Sequence, residues 1–287
     1  MSSGLHERPE EMRAAVEYTA AETGFAPHLI EKDYWCSVFL KELLEINHPS
    51  LVFKGGTLLS KAFSEFERLS EDLDFTIPTA SDVTRSQRRE RAAKVREHLE
   101  VLVERYDLEW DAEWRGHNES RQYTARLRYP SIFRGSNALL IEISQREVPS
   151  LELESTGLRT LLREPLHGGA VVAPFEGTAL ASLEAYAEKA RAALTRRDPA
   201  VRDIYDLWQG VSTGLFDPAD DVWVNLVQRK CTGFDIGPAC SEERMNAFRR
   251  GLRTDLAPVL RAGKLDDFPM TNALDLLKEI HSGVHYD

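Results

Sequence analysis

Asp72 and Asp74 stand two residues apart in Arg68-Leu69-Ser70-Glu71-Asp72-Leu73-Asp74-Phe75, a stretch that reads as a β-strand carrying two acids. Residues i and i+2 of a strand project from one face, so the two carboxylates share a rigid support. Upstream, Leu51-Val52-Phe53-Lys54 enters a Gly55-Gly56-Thr57 turn, and Leu58-Leu59-Ser60-Lys61 continues as a helix. Glycines at a strand-to-helix turn let backbone N–H groups approach a phosphate at the positive end of a helix. Two carboxylates beside such a cradle suit Mg²⁺, with Mn²⁺ as the alternative ion, together with a nucleoside triphosphate. The chemistry that fits is nucleotidyl transfer, with two metals clamping the attacking and leaving oxygens. Glu142 is a lone acid inside Ala138-Leu139-Leu140-Ile141-Glu142-Ile143-Ser144. An unpaired carboxylate in an apolar strand is costly, so it calls for a partner or a metal; an exposed position on an edge strand is the plain alternative.

The elements around these residues follow from periodicity. A helix is expected over residues 7–23, stopped by Gly24, and a second opens at Pro27, where proline is tolerated in the first turn. Ile30, Tyr34, Val38 and Leu43 give the second helix a buried face, with Tyr34 and Trp35 as core residues. Glu31, Lys32 and Asp33 read either as a solvated cluster or as the border of the site. Asn47-His48-Pro49-Ser50 is a turn. Ser81 reads as the cap of a helix over residues 82–106, whose first half carries Arg85, Arg88, Arg89, Arg91, Lys94 and Arg96. Such a run is usually a solvated helix face; contact with a phosphate backbone is the sharper reading. Leu108, Trp110, Ala112 and Trp114, then Tyr123, Ala125, Leu127 and Tyr129, alternate with charged residues as half-buried antiparallel strands do. Val171 to Phe175 reads as a short edge strand.

Beyond this point helices dominate. Residues 180–194 form a strong helix by composition, and a second carries Arg202-Asp203-Ile204-Tyr205-Asp206-Leu207-Trp208. Asp203 and Asp206 share a helical face, either as ordinary partners of Arg202 or Lys189 or as holders of a lysine aimed at a triphosphate. Residues 217–287 read as mostly helical and locally basic at Arg249, Arg250, Arg253, Arg261 and Lys264. The expected fold class is α/β, more strictly α+β. Residues 1–165 would be a core with a mixed sheet and N-terminal helices. Residues 166–287 would be a mainly helical domain supplying Lys189 and Asp206 to the site.

The composition suits a soluble enzyme: 287 residues, 42% hydrophobic and 29% charged. No apolar run approaches the ~20 residues of a membrane span, and the Met1-Ser2-Ser3-Gly4 start does not read as a signal peptide. Cys36, Cys231 and Cys240 are scattered and form no CxxC pair, and there is no HExxH, so neither a disulfide framework nor a zinc site is indicated. A reducing cytoplasm is the expected compartment. The net charge of −11 argues against indiscriminate nucleic-acid binding but leaves room for a local basic surface.

Taken together, these residues resemble the nucleotidyltransferase superfamily that shares the DNA polymerase β core. More narrowly, the chain is similar to the AbiEii/AbiGii toxin family, which includes the mycobacterial Men toxins. The phrases that carry the likeness are Glu31-Lys32-Asp33-Tyr34-Trp35, Phe53-Lys54-Gly55-Gly56-Thr57 with Ser60-Lys61, and Arg68-Leu69-Ser70-Glu71-Asp72-Leu73-Asp74. Glu188-Lys189 and Arg202-Asp203-Ile204-Tyr205-Asp206-Leu207 follow, so that residues 25–215 are covered in order. The resemblance implies a toxin of a toxin–antitoxin or phage-defence system, with a cognate antitoxin encoded nearby. It implies transfer of a nucleotide from an NTP to the 3′ acceptor end of tRNA, blocking aminoacylation. By position, Asp72, Asp74 and Glu142 would hold the metal, and Glu142 would also help deprotonate the attacking hydroxyl. Gly56 and Thr57 would donate N–H groups to the β- and γ-phosphates. Lys189 would neutralise the triphosphate, and Asp206 would orient it or bind the base. Lys54, Gly55, Lys61, Arg68 and Ser70 complete the nucleotide site. The antitoxin's action stays open between occlusion and modification, for which Ser70 offers a hydroxyl. Alternatives to weigh are a phosphotransferase, a nucleotidyltransferase with a small acceptor, and a non-catalytic NTP- or RNA-binding module. The absence of a GxxxxGK[ST] loop and of HRD and DFG motifs lowers the kinase reading.

Overall fold

The computed structural model describes residues 4–46, 50–133 and 137–284. The turn expected at 47–50 lies outside them except for Ser50, as do the first three residues. Contacts divide the chain into two compact units. The first comprises Met1–Ala62, Leu69–Pro149 and Leu153–Leu180; the second comprises Phe63–Arg68, Ser150–Glu152 and Ala181–Asp287. The main division falls at Leu180, just after a strand that ends at Ala179 and belongs to the sheet.

The first unit is built on a seven-stranded mixed sheet: β1 (Val52–Lys54), β2 (Asp72–Thr76), β3 (Glu109–His117), β4 (Gln122–Arg128), β5 (Ala138–Ser144), β6 (Glu154–Leu158) and β7 (Phe175–Ala179), in the order β3-β4-β5-β2-β1-β7-β6. β2 runs parallel to β5 and antiparallel to β1, while β4 is antiparallel to both β3 and β5. The α/β mixed-sheet expectation is met. Period-2 burial shows which face is inside: Leu73, Phe75, Tyr123, Ala125, Leu127, Leu139, Ile141 and Ile143 are buried, and the residues between most of them are partly or fully exposed. Helices α1 (Pro9–Thr23) and α2 (Pro27–Leu44) precede the sheet, α1 ending at Gly24 in the left-handed conformation. Tyr34 and Trp35 are core residues, and Trp35 stacks on Tyr129 at 5.3 Å.

A short helix, α3 (Gly55–Leu58), leads into a π-turn over Leu59–Phe63. Helix α4 (Arg85–Arg105) starts at a Thr84 capping box rather than at Ser81. The Gln87 N–H donates to the Thr84 hydroxyl while the Thr84 N–H donates to the Gln87 side chain, satisfying two otherwise orphaned donors. Ala92, Val95, Leu99 and Leu102 form its buried stripe. Within its basic run, Arg88 is buried and donates to the Val83 and Glu119 carbonyls, while Arg85, Arg89 and Arg96 are exposed.

The edge strand expected at 171–175 is replaced by β7, an interior strand parallel to β1 and covered on its far side by β6. β6 has no apolar alternation in Glu154-Ser155-Thr156-Gly157-Leu158; its extended state is set by pairing, a tertiary effect that overrides local preference.

The second unit is helical, with α5 (Ser182–Thr195), α6 (Val201–Ser212), α7 (Asp221–Cys231), α8 (Glu242–Gly251) and α9 (Met270–Val284). Tyr186, Phe216 and Trp223 stack in its core, where Gly210 leaves room for the first two. Lys230 is buried against Glu184 at 2.6 Å, and Glu184 also accepts the N–H groups of Ser150 and Leu151. That buried pair ties the 150–152 segment into the helical unit.

Candidate active site

Strand pairing converts the sequence spacing into a row of side chains. Asp74 is paired with Glu142 across the parallel β2–β5 ladder, and Asp72 with Leu140. Paired residues point to the same face, and neighbouring strands lie about 4.8 Å apart. Asp72, Asp74 and Glu142 therefore stand on one face, and all three are partly exposed while Leu73, Ile141 and Ile143 alternate inward. Lys54 is the cross-strand partner of Asp74 on the other side, on β1. Glu142 is thus neither on an edge strand nor buried alone.

The turn at Gly55 is shaped around Asp74. Gly55 has φ +78°, and a Cβ there would come within 2.2 Å of Asp74 Oδ2. Any side chain at this position would occupy the place of the carboxylate, so the glycine serves close approach as well as backbone freedom. Gly56 and Thr57 are buried, and the Thr57 hydroxyl donates to the Asp72 carbonyl at 2.5 Å, fixing the start of α3 against β2. Ser70 is partly exposed in the approach to β2.

Lys61 differs from its expected place among the nucleotide-binding residues. Its side chain is fully buried, and Nζ donates to Asp33 Oδ1 at 2.5 Å and to Ser37 Oγ at 2.7 Å. Asp33 accepts in addition from the Leu161 N–H at 2.9 Å and the Thr160 hydroxyl at 3.2 Å. This pair joins α2, the π-turn and the segment after β6. Its neighbours on α2 are likewise internal. Lys32 meets Glu71, one residue before Asp72, at 2.9 Å. Glu31 accepts from the Ser131 hydroxyl and the Ile132 N–H; burial raises its pKa despite those bonds. The Glu31-Lys32-Asp33 cluster is therefore a set of buried braces, not a solvated patch. Sequence spacing gave no sign of the distant partners.

The second unit holds a separate charge network. Arg68 binds Asp206 through two parallel bonds, Nε to Oδ1 and Nη2 to Oδ2, each 2.6 Å. Lys189 Nζ lies 2.9 Å from Asp203 Oδ1 and 3.0 Å from Asp206 Oδ2. Burial alone would raise the Asp206 pKa, but Arg68 and Lys189 outweigh it and hold the carboxyl below the usual range. Arg68, expected to line the nucleotide site, and Asp206, expected to orient the triphosphate or bind the base, are both buried and bonded to each other; Lys189 keeps a small exposure. Both acids on α6 pair with Lys189, a contact common to the two readings of these residues.

The first unit's face matches the donor requirements of a hard divalent cation: carboxylate oxygens from a rigid strand pair, with a glycine turn pressed to one of them. Among the described residues no three His, Cys, Asp or Glu side chains already converge as a metal-holding group.

Comparison with protein families matches residues 38–275 to the nucleotidyl transferase AbiEii toxin of type IV toxin–antitoxin systems. Among solved structures, the fold is similar to MenT4, the nucleotidyltransferase toxin Rv2826c from Mycobacterium tuberculosis H37Rv, at a TM-score of 0.50 and 19% identity. The alignment covers 95% of this chain and 98% of that one. At this identity the likeness bears on fold alone. Among curated proteins there is no significant match. Among the described residues no helix is long and apolar enough to cross a membrane.

Proposed function

Because the chain belongs to the AbiEii nucleotidyl transferase toxin family of type IV toxin–antitoxin systems, we propose that it moves a nucleoside monophosphate from an NTP to RNA. The acceptor in this reading is the 3′ end of the tRNA acceptor stem, so that aminoacylation and then translation stop. The observation that carries the reading is the row formed by Asp74 and Glu142 on parallel strands, with Asp72 on the same face and Gly55 turned against Asp74.

Asp72, Asp74 and Glu142 would hold Mg²⁺ or Mn²⁺, which when bound neutralises charge on the triphosphate and lowers the cost of ionising a hydroxyl. The ribose 3′ oxygen attacks the α-phosphorus; a bond forms there and the α–β bridging bond breaks, releasing pyrophosphate. Glu142 is assigned the proton of the attacking hydroxyl. The backbone of Gly56 and Thr57 supports the phosphates, with Lys54 beside Asp74. Within the second unit Asp203 and Asp206 hold the Lys189 ammonium, and the family resemblance assigns that lysine the countercharge for a triphosphate. The charged groups of Lys61 and Arg68 are buried in ion pairs, and this reading assigns them no direct contact with the nucleotide. A cytoplasmic place of action and a neighbouring antitoxin follow from this acceptor and this family.

The test is incubation of the purified protein with total tRNA, Mg²⁺ and each α-³²P-NTP in turn, beside Asp72→Ala. Labelled tRNA is expected with at least one nucleotide, falling by about 10³-fold or more in the variant. Label passing from γ-³²P-NTP to a protein or small molecule, with none reaching RNA from the α position, would replace this reading with a phosphotransferase.

A further inference from the structure

The row that contains Asp74 and Glu142 does not stop at β5. Glu142 is paired with Thr124 on β4, and Thr124 with Arg115 on β3. The sheet therefore presents, on one face and in one line, Lys54, Asp74, Glu142, Thr124 and Arg115. Arg126 and Arg128 alternate with the buried Ala125 and Leu127, so both share the face of Thr124, and both are exposed. The His117 ring lies 3.1 Å from the Thr124 hydroxyl, and Arg146 reaches Gln122, which places two more basic groups around the same strands. In a chain of net charge −11, this is a local concentration of guanidinium groups running directly into a cluster of carboxylates.

The acidic groups among them are Asp111 and Glu109. Asp111 pairs with both Arg126 and Arg128, and Glu109 with Arg128. These pairs are solvent-exposed, with the arginine side chains near half exposure, so each is worth little and can be exchanged for a phosphate. Arg115 is exposed and has no ion-pair partner among the described residues. Helix α4, by contrast, buries its apolar stripe, and its exposed arginines are not in this row.

Resting on the RNA-acceptor reading above, we propose that the β3–β4 half of this face, through Arg115, Arg126 and Arg128, is the track for the phosphate backbone of the acceptor RNA strand. The strand's last nucleotides cross Thr124 and bring the terminal ribose to Glu142 and Asp74. Two strand spacings, about 10 Å, separate Arg115 from Glu142 along the row. The basic half grips phosphates without reading bases, and the acidic half is reserved for the reacting end.

The experiment uses the full chain and fluorescently labelled tRNA. Binding is followed by anisotropy across a salt series, and label transfer from α-³²P-NTP is measured in parallel. Arg115→Ala/Arg126→Ala/Arg128→Ala is expected to weaken RNA binding at least ~10-fold and to flatten the log Kd against log salt slope by about 2, as loss of three phosphate contacts requires. KM for tRNA should rise, while KM for the NTP stays unchanged. Asp111→Ala, which removes the competing carboxylate, should tighten binding, a gain that a merely structural role for these arginines would not produce. An α4 variant (Arg85→Ala/Arg89→Ala/Arg96→Ala) serves as the contrast. An unchanged slope in the β3–β4 variant, or a larger loss in the α4 variant, would overturn the surface while leaving RNA transfer intact. Failure of the unsubstituted protein to bind or label any RNA would overturn the surface and the acceptor reading together.

Discussion

Two clusters of charge in the first unit behave oppositely. Asp33 and Lys61 are buried, with side-chain exposures of 3% and 0%, and every polar atom shown there meets a partner. Asp72, Asp74 and Glu142 stand partly open on one face, acid beside acid. A buried opposite-charge pair with completed hydrogen bonds is self-sufficient and specifies geometry. Carboxylates held side by side on a rigid sheet repel one another and favour a cation between them. The first arrangement is structural; the second is the one proposed to take a ligand. The motif phrase that joins Lys61 to the glycine turn obscures this distinction.

The largest expected effects separate the clusters outright. Asp33→Ala leaves the Lys61 ammonium buried without its carboxylate and should cost about 3–5 kcal/mol of stability. Replacing both partners with apolar residues, Asp33→Leu with Lys61→Met, should recover most of that loss, because no charge is then stranded. Asp72→Ala should do the reverse, removing transfer while leaving the unfolding midpoint in urea unchanged or slightly raised. Urea denaturation of all three, followed by circular dichroism, checks the contrast. If Asp72→Ala unfolds the protein as readily as Asp33→Ala, the two clusters are not different in kind.

Much of this was legible in advance, for identifiable reasons. The two-residue spacing of Asp72 and Asp74 fixes their common face whatever the rest of the chain does, and Gly24 marks the end of α1. Glu142 stands out in the sequence as a lone acid in an apolar run, and the strand register sets it beside Asp74. What periodicity cannot supply is the identity of partners far along the chain. Glu31 meets Ile132, Asp33 meets Leu161, and Arg68 meets Asp206 across intervals that only the fold closes. The β6–β7 pair was missed for a related reason, since its strands are weakly patterned and are stabilised by each other. The arginines of β3 and β4 were visible only as the charged half of an alternation; the strand register turned them into a row.

A smaller effect probes how the turn shapes the open cluster. Gly55→Ala places a methyl group where the Asp74 carboxylate now sits and forces a non-glycine residue to φ +78°. The backbone strain should cost about 1–2 kcal/mol. Displacing the carboxylate should lower kcat far more than that loss suggests, by about 10²-fold, as ångström-scale misplacement of a reacting group does. Steady-state kinetics beside a urea titration measures both. Equal and small losses in the two would mean that the turn shapes the backbone but not the site.

The finest test concerns the paired charges of the second unit, which should resemble Asp33 and Lys61 rather than the open face. Burial raises the Asp206 pKa, but Arg68 and Lys189 more than compensate, leaving it below its ordinary value of 3.8. A carboxyl with a depressed folded-state pKa contributes stability that is fully present above the unfolded value and is lost as pH falls through the folded one. Asp206 should therefore contribute nothing to pH dependence near neutrality, and its contribution should disappear only at acid pH below about 4. Carbon-detected NMR of the side-chain carboxyls should find its midpoint below 3.8, and Lys189→Met should move that midpoint upward while the Arg68 bonds persist. A midpoint at or above the ordinary value in the unsubstituted protein would show that Arg68 and Lys189 do not compensate for burial, and the likeness to Asp33 and Lys61 would fail.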